Sequence, residues 1–107
     1  MILSTLIENS AKPYSQKNVD YINGHYRDIV KRRSQDNQRI VLAEMAGVLS
    51  PDQINVKDHT HPTDMGYVIM AQTWLKSFRE ADSKGFFNAP RFNWDNQWSA
   101  LCSPCAG

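Results

Sequence analysis

Apolar positions along the chain change period several times, and each change marks an element. Residues 2–7 (Ile2-Leu3-Ser4-Thr5-Leu6-Ile7) are β-prone and apolar on both faces, which predicts a buried strand. Residues 8–16 hold Asn9, Ser10, Pro13 and Ser15 and read as a loop. Over residues 17–33, Val19, Ile22, Tyr26, Ile29 and Val30 follow at steps of 3, 4, 3 and 1, the period of one helix face. Gly24 costs that helix about 1 kcal/mol relative to alanine. The run Lys31-Arg32-Arg33 falls in its last turn, where cations complement the helix dipole. Residues 40–46 form a second apolar run and a second strand, broken by Gly47 and Ser50-Pro51-Asp52. Residues 53–62 read as a loop. Thr63 and Asp64 are N-cap candidates for a helix whose apolar positions are Tyr67, Met70, Ala71, Trp74, Leu75 and Phe78. Gly85 ends that helix or the turn after it. Beyond it the period dissolves, with Phe86, Phe87, Phe92, Trp94 and Trp98 scattered among Asn, Pro and Asp.

The order strand–helix–strand–helix is a βαβ unit followed by a further helix. It predicts the α/β class, with a parallel sheet and helices packed on it. The domain reading is 1–84 for this unit and 85–107 for an aromatic- and cysteine-containing tail or linker. With 107 residues, 41% hydrophobic and 21% charged, the chain is globular in composition. A formal net charge of +1 does not call for nucleic acid or an anionic membrane as partner. Mean hydropathy is −0.54, and no apolar run has the length of a membrane span. The first eight residues lack the basic start and small-residue cleavage site of a signal peptide. An apolar strand that begins at residue 2, and a βαβα unit with only two strands, together lead us to expect part of a larger sheet.

Candidate chemistry concentrates in Asp58-His59-Thr60-His61-Pro62-Thr63-Asp64-Met65-Gly66-Tyr67, on a loop that runs into a helix. Loops at the ends of α/β strands are where sites collect. An Asp three residues before a His can hold one imidazole nitrogen, fixing the tautomer and leaving the other nitrogen free to act as a base. The same stretch also admits a zinc reading, in which Asp58, His59 and His61 join Cys102 and Cys105. One residue between the histidines is shorter than the spacing of about 3–5 usual in zinc fingers, which counts against a metal and leaves His59 as an exposed loop residue at a pocket mouth. Cys102-x-x-Cys105 lies at the chain end rather than at a helix start, so no helix dipole would lower a thiol pKa for redox work. The aromatic tail is either a skirt packed on the domain or a platform for a sugar or a neighbouring domain.

The block from Asp58 to Ala71, reading Asp-x-x-His-Pro-Thr-Asp-x-Gly-Tyr-x-x-Met-Ala, resembles the last sequence block of the SGNH (GDSL-type) hydrolases. Ser4-Thr5-Leu6, Tyr21-Ile22-Asn23 and Ile40-Val41-Leu42 precede it in the order usual for that family. The resemblance implies an incomplete three-layer α/β/α flavodoxin-like fold, of which this chain is the C-terminal half. It makes His61 the general base and Asp58 its orienting acid, with Gly66, Tyr67, Met70 and Ala71 as packing positions. The implied activity is hydrolysis of a carboxylic ester of an acyl lipid or a carbohydrate, without metal or organic cofactor, in a secreted parent protein where Cys102 and Cys105 pair with each other or with other cysteines. The family's Gly-Asp-Ser and Gly-x-Asn-Asp blocks do not occur in these residues. We therefore expect the chain to be inactive alone, with a zinc-binding module or an inactive truncated pseudo-enzyme as the alternatives.

Overall fold

A computed structural model of the chain describes residues 1–88. Five elements follow in order: β1 (Ile2–Ser4), α1 (Ser15–Gln35), β2 (Val41–Ala43), a 3-10 turn (Pro51–Gln53) and α2 (Asp64–Ser83). β1 and β2 pair in parallel, with Ile2 beside Val41, Leu3 beside Leu42 and Ser4 beside Ala43, so α1 is the crossover of a βαβ unit. Both helices pack on the two strands rather than on each other. The fold is mixed α/β. Cys102, Cys105, Phe92, Trp94 and Trp98, and most of the 85–107 tail, lie outside the described residues.

Both strands are shorter than the apolar runs that announced them, and side chains are the reason. After Ser4 the ladder continues for one bond, from Thr5 N–H to the Ala43 carbonyl at 3.0 Å. The Thr5 hydroxyl then takes over the partner strand's next donors, accepting from Met45 N–H at 2.7 Å and Ala46 N–H at 3.1 Å. Asn23, buried on α1, treats Leu6 as a strand would. Its Oδ1 accepts from Leu6 N–H at 2.7 Å and its Nδ2 donates to the Leu6 carbonyl at 2.9 Å. β1 is also only half-buried, where the double-sided apolar pattern predicts full burial. Among the described residues it has one neighbouring strand and not two.

α1 is longer than its apolar period. It stops at Gln35 because Asn37 takes a left-handed conformation (φ 58°), which asparagine tolerates better than most residues. Gln38 N–H then bonds the Arg33 carbonyl at 2.9 Å and Asn37 N–H the Ser34 carbonyl at 3.1 Å, satisfying two of the helix's last carbonyls. Arg32 and Arg33 sit in the last turn, as expected from the dipole. A two-pronged ion pair joins the middle of α1 to the end of β2, with Arg27 Nε 2.9 Å from Glu44 Oε2 and Nη2 2.8 Å from Oε1. The bonds from Arg27 hold the Glu44 carboxyl below the usual range. Gly24 is exposed, and a Cβ there would meet nothing within 4 Å. Gly24→Ala should therefore stabilise the fold by about 1 kcal/mol, read as a higher urea midpoint with unchanged m-value.

The core is small: Val19 of α1, Ile40 just before β2, Val41, Ala43, Met45 and Leu49 in and after β2, and Ala81 of α2. α2 meets it with a face that its apolar stripe marks only at Met70 and Trp74. The inward positions are Gly66, Ile69, Met70, Thr73, Trp74, Ser77 and Ala81, each buried or half-buried. Tyr67, Val68, Leu75 and Phe78 are about half exposed. The small residues Thr73, Ser77 and Ala81 share this face with Ile69, Met70 and Trp74, whereas Tyr67, Leu75 and Phe78 turn outward. Phe87 folds back over the outer side and stacks on Phe78, ring centroids 6.0 Å apart.

Candidate active site

The loop from Asn55 to Thr63 is held largely by local hydrogen bonds. Asn55 clasps it, donating its N–H to the His61 carbonyl and accepting from His59 N–H, each at 2.8 Å. Ile54 and Pro62 form an antiparallel bridge just outside the clasp. The Gln53 carbonyl accepts from Thr63 N–H at 2.8 Å and from the Thr63 hydroxyl at 3.2 Å. Thr63 is the N-cap of α2, its hydroxyl accepting from Gly66 N–H at 3.2 Å, while Asp64 supplies the acid of the first turn. The 3-10 turn, the loop and the start of α2 are thereby one connected unit. Asn9 Nδ2 donates to Thr60 Oγ1 at 3.3 Å, and Ser10 N–H donates to the His59 carbonyl at 3.1 Å, so the segment after β1 braces the loop from outside.

Within the unit, Asp58 and His61 meet as the sequence spacing predicts. Asp58 Oδ2 lies 2.8 Å from His61 Nδ1. Asp58 Oδ1 accepts from the backbone N–H groups of Thr60 at 2.9 Å and His61 at 3.0 Å. These donors, the backbone N–H of His61 first, pull the Asp58 carboxyl down to about 2. Asp58 is thus an anion throughout the ordinary pH range and fixes the proton of neutral His61 on Nδ1. The imidazole is 68% exposed, and its Nε2 has no hydrogen-bond partner among the described residues. The arrangement can accept a proton at Nε2 and hold the resulting imidazolium against Asp58.

The depressed carboxyl has a directional consequence. The turn's contribution to order is complete above the usual carboxylate range near about 4 and fades as pH falls through the folded value of about 2. The amide protons of Thr60 and His61 should therefore titrate together with a midpoint of about 2. A midpoint at the ordinary carboxylate value would show that Asp58 does not accept from them.

His59 has φ 53°, a left-handed conformation sparsely populated outside glycine and held here by its bonds to Asn55 and Ser10. It is exposed and lines a cleft, and it is not gathered with Asp58 and His61 into a donor set. No three His, Cys, Asp or Glu side chains converge as metal ligands among the described residues, and His61 Nδ1 is already engaged by Asp58. Cys102 and Cys105, the other half of the zinc reading, lie outside those residues. No serine hydroxyl among the described residues bonds His61. Of the positions around the block, Gly66 is buried and Met70 half-buried, whereas Tyr67 and Ala71 are exposed. Asn55 and Asn9 escaped the sequence reading. Their type was the available signal, since Asn favours backbone-mimicking turns. The chain matches no known protein family, no curated protein and no solved structure.

Proposed function

We propose that the chain carries the base-and-acid half of an SGNH-type carboxylic-ester hydrolase, from a secreted parent with a flavodoxin-like α/β/α architecture. The observation that supports this most is the 2.8 Å contact between Asp58 and an exposed His61 whose Nε2 is open. In that reaction His61 Nε2 removes the proton of a serine hydroxyl while the serine oxygen attacks the ester carbonyl. Asp58 stabilises the imidazolium, which then protonates the departing alkoxide. Water repeats the cycle on the acyl-enzyme. The reading needs a serine and oxyanion donors from sequence beyond these 107 residues. The substrate class is an acyl-lipid or carbohydrate ester.

The in-frame sequence that precedes Met1 in the gene is the direct test. A Gly-Asp-Ser block there supports the reading, and its absence overturns it. In a protein that includes such a block, His61→Ala should lower kcat by about 10^4- to 10^6-fold on a p-nitrophenyl ester. The 107-residue chain should show no turnover, because a triad without its nucleophile loses the covalent route. Turnover by this chain that His61→Ala abolished would place the nucleophile inside it.

A further inference from the structure

α2 packs on the strands and the 3-10 turn through one face, and its opposite face stands open whatever His61 does. Asp64, Val68, Ala71, Leu75 and Phe78 follow at steps of 4, 3, 4 and 3, which keeps them on one line along the helix. All five are exposed. Phe87 broadens the far end of this stripe by stacking on Phe78. Large apolar side chains gathered on one exposed face mark an interaction surface, whereas single ones do not. The order of residues along the stripe says what fits it. Ala71 stands at the middle, where a small side chain lets a second helix cross at the near end of the usual range of about 8–10 Å. Val68 lies three residues before it and Leu75 four after. Asp64 lies seven residues before it and Arg79 eight after, about 10 and 12 Å along the axis. Both charged side chains are exposed, and neither has an ion-pair partner among the described residues. A stripe that is apolar at its centre and carries opposite charges equally far out on its two sides is complementary to itself turned end for end.

We propose that the outer face of α2 docks a second copy of this chain, the two helices antiparallel about a two-fold axis beside Ala71. Each contact then occurs twice, as such symmetry requires. Val68 meets the partner's Leu75, and Asp64 meets the partner's Arg79. A parallel pair would instead set Asp64 against Asp64 and Arg79 against Arg79, so the charges select the antiparallel arrangement.

The test is sedimentation equilibrium of the full chain, which should show a monomer–dimer equilibrium with Kd below about 100 µM, the weak class that one small interface supports. Leu75→Lys puts a charge into the seam and should raise Kd about tenfold or more. Leu75 is 49% exposed, so the circular dichroism of this variant should match that of the unchanged chain. Asp64→Arg alone and Arg79→Asp alone each set like charges against one another at both ends, and each should also raise Kd about tenfold or more. An equimolar mixture of these two variants should associate as tightly as the unchanged chain, because every end of the mixed dimer again pairs Arg with Asp. A Kd above about 100 µM for the unchanged chain would overturn the proposal. So would a Leu75→Lys chain that dimerises as before, charge variants that do so singly, or a mixture no tighter than its components.

Discussion

Thr5→Val should lower the stability of the fold by about 2–4 kcal/mol, although it exchanges one hydroxyl for a methyl of nearly the same size. Thr5 is 2% exposed, and its oxygen accepts from Met45 N–H at 2.7 Å and Ala46 N–H at 3.1 Å. Its hydroxyl hydrogen goes to Glu44 Oε1 at 2.8 Å. Valine fills the space and answers none of these groups. Met45 is itself 1% exposed, so water cannot replace the lost acceptor. Each buried orphaned donor costs about 1–3 kcal/mol, which sets the range. A chain of this size has roughly 5–15 kcal/mol in total, so the variant loses a large share of it. Urea unfolding followed by circular dichroism should show a lower midpoint with an unchanged m-value. Thr5→Ser, which keeps the oxygen, should recover most of the loss. A loss below about 0.5 kcal/mol for Thr5→Val would mean that the end of β1 is not held by this hydroxyl.

Thr5 also shows where sequence reading stops. The apolar runs located both strands correctly, since 2–4 and 41–43 lie inside them, and the βαβ order gave the parallel pairing. Strand length was not legible, because the ladder ends where side chains replace backbone partners. Neither Thr5 nor Asn23 interrupts a hydropathy period strongly enough to reveal that role. Asn23 does stand four residues after Val19 on the apolar side of α1, and a lone amide in that position is the one available hint. The rotation of α2 has a different cause. Its most apolar stripe suggested the buried face, and Met70 and Trp74 of that stripe are half-buried, but Thr73, Ser77 and Ala81 face inward where Leu75 and Phe78 do not. Small side chains took inward positions that hydropathy alone would give to bulky ones.

The candidate site was more legible than the core because it is local. Asp58 and His61 are three residues apart, and two backbone N–H groups inside the same turn bind the carboxylate, so no distant partner is needed to bring them together. The support from Asn55, Asn9 and Gln53 was not legible, since it depends on which loop lies against which.

Gly66→Ala should act in the opposite direction to Gly24→Ala, although both add one methyl group to a helix. At Gly24 the added Cβ meets nothing within 4 Å, and only the gain in helix propensity remains. At Gly66 it would lie 2.5 Å from the Gln53 carbonyl oxygen and 2.9 Å from the Pro62 Cβ. The Gln53 carbonyl cannot retreat alone, because it already accepts from Thr63 N–H and the Thr63 hydroxyl. The start of α2 must therefore separate from the 3-10 turn, and Pro62 must move with it. Such overpacking costs about 1–3 kcal/mol, more than the roughly 1 kcal/mol that alanine gains in a helix. His61 precedes Pro62 and is clasped by Asn55, which sits two residues after Gln53, so the displacement reaches the His–Asp pair. Urea unfolding should show a net loss of about 1–2 kcal/mol. NMR should show shifted Thr60 and His61 amides and a midpoint for their titration above the native value of about 2, because Asp58 loses donors as the turn opens. An alanine at 66 that stabilised the chain as one at 24 does, with those amides unmoved, would show that the helix start and the candidate base are not coupled.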